Sequence, residues 1–183
     1  MEAQVKRYFD DLESPIKEMK YEAYKSLMTV TKKEVDWAYE VWDKLLQDLN
    51  NQDNHKRSLA AQFLSHLAIS DPEKRMLNDF SSLWKVTKDP KFVTARHSLQ
   101  SIWRVGLAGD EQQELLINHL TDRFRNCAEE KNYTLVRYDI ILGLKNLYDE
   151  TKNLEIKQES LDLIATEEDS KYKKKYAAVW KNT

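Results

Sequence analysis

The sequence predicts an all-α protein built from a repeated pair of helices, and three observations support this. Of 183 residues, 33% are charged and 41% are hydrophobic, while only three are glycine and three are proline. Apolar residues recur every three or four positions, as in residues 93–106 (VTARHSLQSIWRVG), which is the spacing of one helix face. A pattern of basic and apolar residues also recurs five times along the chain. These features favour a helical repeat over a sheet or a disordered chain.

Prolines and capping side chains mark where the helices begin. Each proline follows a side chain that can cap a helix, so we expect it at the first helical position: Pro15 after Ser14, Pro72 after Asp71 and Pro90 after Asp89. Two other starts have capping-box spacing, namely Thr31 with Glu34 and Asp110 with Gln113. Weaker starts are expected at Asn132, Asn153 and Asp169. The predicted helices cover residues 2–13, 15–30, 32–50, 54–69, 72–88, 91–106, 110–130, 134–148, 153–166 and 171–182.

Short connections between these helices predict antiparallel neighbours, grouped as five pairs. The pairs span approximately residues 2–30, 32–69, 72–106, 110–148 and 153–182 of a single domain, 1–183. In each second helix a basic residue is followed by apolar residues three and seven positions later; the basic residues are Lys20, Arg57, Arg96, Arg137 and Lys173. Their spacings of 37, 39, 41 and 36 residues predict a repeat of about 40 residues. Gly143, inside a second helix, predicts close approach of a neighbouring helix.

Three segments resemble the second-helix signature of the HEAT and armadillo-like repeat superfamily: DPKFVTARHSLQSIW, NYTLVRYDIILGL and DNHKRSLAAQFLSHL. They share an Asp or Asn at the turn, an Arg, and small or apolar residues at helical spacing. The resemblance implies a right-handed α-α superhelix (solenoid) of about five HEAT-like pairs, with the second helices lining its concave face. It also implies that Arg57, Arg96 and Arg137 pair with turn aspartates. The first and last pairs depart from the signature, with Lys20 and a lysine run in place of the arginine.

The charges are distributed unevenly between the two classes of helix. The net charge is −2, but the second helices carry 15 basic and 3 acidic residues, a net of +12, and the first helices with their flanks carry 14 basic and 24 acidic residues, a net of −10. The four remaining acidic residues are the turn aspartates Asp53, Asp71, Asp89 and Asp169. A basic concave face would attract an anionic partner. We therefore expect a non-catalytic scaffold that binds an acidic peptide or protein. The candidate contact residues are Trp103, Arg104, Lys145, Lys174, Lys175 and His97.

Two alternatives remain open at this stage. The chain is similar in architecture to HEAT-like DNA alkylation-repair glycosylases, which implies nucleic-acid binding on the basic face. Their catalytic Asp and neighbouring aromatic residues cannot be matched to its second helices, where Asp139 is the one acidic residue of the central repeats. The other alternative is a protein adaptor that uses the acidic convex face. No feature of the sequence specifies an oligomeric state.

Catalytic and metal-binding motifs are absent from the sequence. The four histidines, His55, His66, His97 and His119, lack the spacing of a zinc or di-iron site, and no P-loop or nucleophile elbow occurs. The single cysteine, Cys127, lies among acidic residues that disfavour a thiolate. We therefore expect no enzymatic activity, no metal and no cofactor. One cysteine and no long apolar run predict a cytoplasmic protein that does not enter a membrane.

Overall fold

The computed structural model describes residues 1–181, and every regular element in that range is helical. The ten α-helices are α1 (Ala3–Asp11), α2 (Lys17–Val30), α3 (Ala38–Asp48), α4 (Asn54–Leu67), α5 (Arg75–Val86), α6 (Phe92–Ser101), α7 (Asp110–Asn126), α8 (Tyr133–Thr151), α9 (Leu154–Ala165) and α10 (Ser170–Ala177). Short 3-10 helices follow α4, α6 and α10: Ala68–Ser70, Ile102–Leu107 and Ala178–Trp180. The all-α class is thus confirmed. The predicted end of the last helix, residue 182, lies outside the described residues.

The helices contact one another in a regular order. Each odd-numbered helix contacts the even-numbered helix that follows it, and we call these the five helix pairs. From α4 onward each even-numbered helix also contacts the next even-numbered one, and from α3 onward each odd-numbered helix contacts the next odd-numbered one. The helices therefore form an even layer and an odd layer, with the core between them. None of the described helices is both long enough and apolar enough to cross a membrane.

Helix α4 lies at the centre of the core. Every residue from 60 to 68 is buried, and α4 contacts α3, α5, α6 and the 3-10 helix after α6. A helix buried on all sides is expected to be apolar or small all round, as α4 is at Ala60, Ala61, Phe63 and Leu64. The first helix pair joins this core through side chains, because Phe9 of α1 packs edge-on against Phe63 with ring centroids 6.0 Å apart.

The helices after the prolines begin later than the sequence predicts. Helices α2, α5 and α6 begin two or three residues beyond Pro15, Pro72 and Pro90, so the prolines lie in the preceding turns. Before α5, Lys74 has a left-handed conformation with φ of 54°. The Asp71 carboxylate still caps α5, because it accepts from the N–H groups of Arg75 (3.0 Å) and Met76 (2.7 Å).

The two predicted capping boxes are wrong. Residues 31–37 are not helical and α3 begins at Ala38, because the Val35 N–H donates instead to Ser70 Oγ (2.9 Å) in the connection after α4. In α7 the Gln113 side chain donates to the Gly106 carbonyl (3.2 Å), so it does not bond back to the start of its own helix. A tertiary contact replaces the local cap in both cases.

The weaker helix starts and the glycines give mixed results. Asn153 and Asp169 do cap α9 and α10, whereas Asn132 makes no side-chain cap on α8. A Cβ at Gly143 would lie 3.5 Å from the Trp103 Cβ, which is ordinary van der Waals contact, so the packing of α8 there does not require a glycine. Gly106 is more crowded, because a Cβ there would lie 2.9 Å from the Leu147 Cδ2.

Candidate functional site

The arginine at the repeat position of α4 is bonded within the chain. Arg57 Nε and Nη2 donate to the two carboxylate oxygens of Asp89 (2.6 and 3.0 Å), and Nη1 donates to the carbonyls of Asn51 and Gln52. Burial alone would raise the pKa of Asp89, but the Arg57 guanidinium and the Lys91 N–H lower it below its ordinary value. Asp89 belongs to the turn before α6, so this bond joins the second helix pair to the third.

The repeat-position arginines of α6 and α8 also bond to the next helix pair. Arg96 Nε and Nη2 donate to Asp139 (2.7 and 2.9 Å), whose side chain is 0% exposed and lies on α8, not in a turn. Arg137 Nη1 donates to Glu167 (2.8 Å), and its Nε donates to the Phe124 carbonyl (3.0 Å). We call the contacts Arg57–Asp89, Arg96–Asp139 and Arg137–Glu167 the three inter-pair arginine bonds.

The two lysines at the ends of the predicted series behave differently. Lys173 donates to the Ala165 carbonyl (2.7 Å). Lys20 is exposed and forms no ion pair within residues 1–181. The positive charge of Lys20 is therefore available to a partner, unlike that of the central arginines.

Arg104 and Trp103 lie together, but Arg104 is buried. Arg104 is 8% exposed, its guanidinium carbon lies 5.4 Å from the Trp103 ring centre, and its Nη2 donates to the Lys32 carbonyl at 3.3 Å. Its Nε has no hydrogen-bond partner in the described part of the chain. Burial lowers the pKa of Arg104, and nearby Glu150 partly offsets this. The guanidinium is thus enclosed by the protein.

The other four candidate contact residues lie on three different helices. Lys145 of α8 donates to Asp149 (2.7 and 2.5 Å) and its side chain is 14% exposed. On α10, Lys174 and Lys175 are exposed, and the Lys175 ammonium lies 5.0 Å from the Tyr138 ring centre. His97 is exposed on α6, with Nδ1 3.3 Å from the Ser58 hydroxyl.

His97 and Lys20 line one groove across the even layer, which we call the α2–α4–α6 groove. Its volume is about 670 Å³. Its lining includes Lys17, Lys20, Tyr21 and Tyr24 from α2, Lys56 and Gln62 from α4, and His97 from α6. The groove therefore combines basic and aromatic side chains from three helix pairs.

The charges of this groove are only partly neutralised. Lys56 pairs with Glu13 at 3.1 Å, whereas Lys17 and Lys20 form no ion pair within the described residues. Asp53 also lines the groove, where its carboxylate accepts from the His55 N–H, so the lining holds three lysines and two carboxylates. Tyr21 beside them is 60% exposed, and Ile16 and Met19 of the same segment are also exposed. An exposed aromatic ring next to two uncompensated lysines is typical of a binding surface.

Tyr24 forms the floor of the groove. Its hydroxyl donates to Gln62 Oε1 (2.7 Å) on α4, and burial raises its pKa, so that it stays neutral. The sequence contains a signal for this site that charge counting misses: Lys17, Lys20, Tyr21 and Tyr24 have the i, i+3, i+4, i+7 spacing of one helix face. The first pair lacks the arginine of the repeat signature, so that signature does not indicate this site.

The described residues contain no group of three or more His, Cys, Asp or Glu side chains placed to hold a metal ion. Cys127 is buried, and burial raises the pKa of its thiol, which disfavours a thiolate. No protein-family model and no curated protein matches the chain.

Proposed function

We propose that the chain is a right-handed solenoid of about five HEAT-like pairs that serves as a non-catalytic scaffold for an acidic peptide or protein. The regular contacts within the even and odd layers support the solenoid, since each pair then contacts mainly its neighbours. In this arrangement the even layer lines the concave face. The acidic partner binds in the α2–α4–α6 groove.

One observation carries this proposal: two uncompensated lysines, Lys17 and Lys20, flank the exposed ring of Tyr21 in a groove of about 670 Å³. On α4, α6 and α8 the cations are already paired with carboxylates, namely Lys56, Arg57, Arg96, Arg137 and Lys145, whereas the lysines of α10 form no ion pair within the described residues. A partner that paired with Arg57 or Arg137 would have to compete with the carboxylate that already binds it. Lys17 and Lys20 require no such exchange, so an acidic partner is favoured there.

Ion pairs alone would not give tight binding of the partner. An exposed ion pair contributes about 0.2–1 kcal/mol, so two lysines alone would hold a partner weakly. A buried aromatic contact at an interface contributes more, and Tyr21 supplies one. The expected ligand is therefore a peptide in which acidic residues flank an aromatic or aliphatic residue.

Selection from a phage library of short random peptides tests the proposal. The wild-type chain is expected to enrich acidic peptides that carry an aromatic or aliphatic residue. The variant Lys17→Glu with Lys20→Glu is expected to bind a selected peptide about tenfold more weakly in fluorescence anisotropy. Lys33→Glu, which changes an exposed lysine outside the groove, serves as the control and is expected to keep full affinity.

Two results would overturn the proposal. One is a selection without acidic enrichment, and the other is enrichment that charge reversal at Lys17 and Lys20 leaves unchanged. Nucleic-acid binding is the competing outcome. It would appear as binding of a labelled DNA duplex whose affinity falls steeply between about 50 mM and 200 mM salt.

A further inference from the structure

A second cleft lies between the starts of α6 and α8, away from the α2–α4–α6 groove. It has a volume of about 500 Å³ and is bounded by the turn before α6, the turn before α8 and Arg123 of α7. Its apolar lining comes from Phe92, Ala95, Leu99 and Val136. This volume suits a small molecule, and the apolar lining would contact the body of such a ligand.

The charged groups around this cleft leave two cations without partners. Its two carboxylates are occupied: Asp89 binds Arg57, and Glu130 accepts from Arg123 Nε and Nη2 (3.2 and 2.8 Å). Lys88 and Lys131 also line the cleft, are exposed, and form no ion pair within residues 1–181.

Arg96 supplies a third donor at the same place. Its Nε and Nη2 bind Asp139, but Nη1 forms no hydrogen bond in the described chain, and the side chain is 31% exposed. Because Asp139 holds the guanidinium fixed, little side-chain entropy is lost when Nη1 binds an anion. The cleft thus combines two free ammonium groups and one oriented guanidinium nitrogen with an apolar surface.

We propose that this cleft, the α6–α8 cleft, binds a small organic anion. Lys88, Lys131 and Arg96 Nη1 contact the carboxylate or phosphate group of the ligand, and Phe92 and Val136 contact its apolar part. A metal cation is disfavoured, because the excess charge of the cleft is positive. A neutral ligand would leave the two ammonium groups without compensation. The site is independent of the acidic-peptide groove.

Titration calorimetry and amide chemical shifts with defined probes test this proposal. Phenyl phosphate and benzoate carry the two anionic groups on the same apolar ring, and benzyl alcohol is the neutral comparison. Both anions are expected to shift the amides of residues 87–99 and 130–136, with affinities about tenfold above that of benzyl alcohol. Tighter binding of phenyl phosphate identifies a phosphate ligand, and tighter binding of benzoate identifies a carboxylate.

Substitution of the lysines provides the control. Lys88→Gln with Lys131→Gln is expected to weaken anion binding about tenfold, since two ionic contacts are lost. Lys33→Gln with Lys85→Gln, at exposed lysines outside the cleft, is expected to leave it unchanged. The proposal is overturned if the variant Lys88→Gln with Lys131→Gln binds the anions as tightly as the wild type. It is also overturned if no amide shifts appear up to about 10 mM probe, or if the shifted amides lie near lysines throughout the chain.

Discussion

The buried histidine of α4 makes the stability of the fold depend on pH. His66 is 7% exposed, and its Nδ1 lies 3.1 Å from the Thr31 hydroxyl. That hydroxyl donates its single hydrogen to the Leu27 carbonyl (2.7 Å), so it accepts from a protonated Nδ1 of a neutral ring. Burial, followed by the positive charges of Arg104 and Lys32, lowers the pKa of His66 to about 3.

The sign and size of the effect follow from this pKa. In the unfolded chain the histidine pKa is about 6.5. Above that pH the ring is neutral in both states and favours neither. Below it the unfolded chain binds a proton that the folded chain does not, so stability falls as the pH decreases from about 6.5 towards 3. At about pH 5 the loss is about 2 kcal/mol from His66 alone.

Urea unfolding at about pH 7.5 and about pH 5 measures this loss. The wild-type chain is expected to lose about 2 kcal/mol more than His66→Asn, in which the amide N–H can still donate to Thr31. His55→Gln, at an exposed histidine of the same helix, is expected to behave as the wild type. Every other titratable group is common to the wild type and His66→Asn, so its contribution cancels in the comparison. Equal losses in the wild type and His66→Asn would refute the reasoning.

Two further predictions concern packing between helix pairs. Asp139→Asn is expected to lower the free energy of unfolding by about 3 kcal/mol, because it removes the charge of a carboxylate that is 0% exposed and leaves Arg96 unpaired. Asp149→Asn, at an exposed carboxylate of the same helix, is expected to change it by less than about 1 kcal/mol; equal effects in urea unfolding would contradict the assignment. Gly106→Ala is expected to destabilise by about 1–2 kcal/mol, because the new Cβ would lie 2.9 Å from a buried leucine. Gly143→Ala is expected to be neutral or stabilising by up to about 1 kcal/mol, and the reverse order of melting temperatures would refute this.

The helical class could be predicted because it depends on local spacing of apolar residues, but several helix starts could not. The segment before α3 remains non-helical because Val35 bonds to Ser70, which is 35 residues away in sequence. The start of α5 depends on the left-handed conformation of Lys74, and lysine gives no signal for such a conformation. The spacing of apolar residues gives no information about a long-range hydrogen bond such as Val35–Ser70 or about the φ angle of Lys74.

The site was harder to predict than the fold because a count of charges does not show which charges are paired. The partners of Arg57 and Arg96 lie 32 and 43 residues away, so the net charge of a helix overstates what it presents to a ligand. Arg104 is a candidate contact residue in the sequence because arginine is usually exposed, but its neighbours Trp103 and Val105 are apolar and tertiary packing leaves it only 8% exposed. By contrast, Lys17 and Lys20 share a face with Tyr21 through purely local spacing, so the sequence alone could have indicated that site.

The inter-pair arginine bonds restrict how the chain can be shortened or rearranged. Each bond has its cation in one helix pair and its carboxylate in the next, and the carboxylate lies before α6 for Arg57, inside α8 for Arg96 and before α10 for Arg137. Deletion of an internal helix pair would leave the arginine of one bond facing the carboxylate of the next bond. That carboxylate lies at a different position relative to its helix, so the two groups would not be aligned. The helix pairs are therefore not interchangeable modules, and their order along the chain is encoded in the bonds that join them.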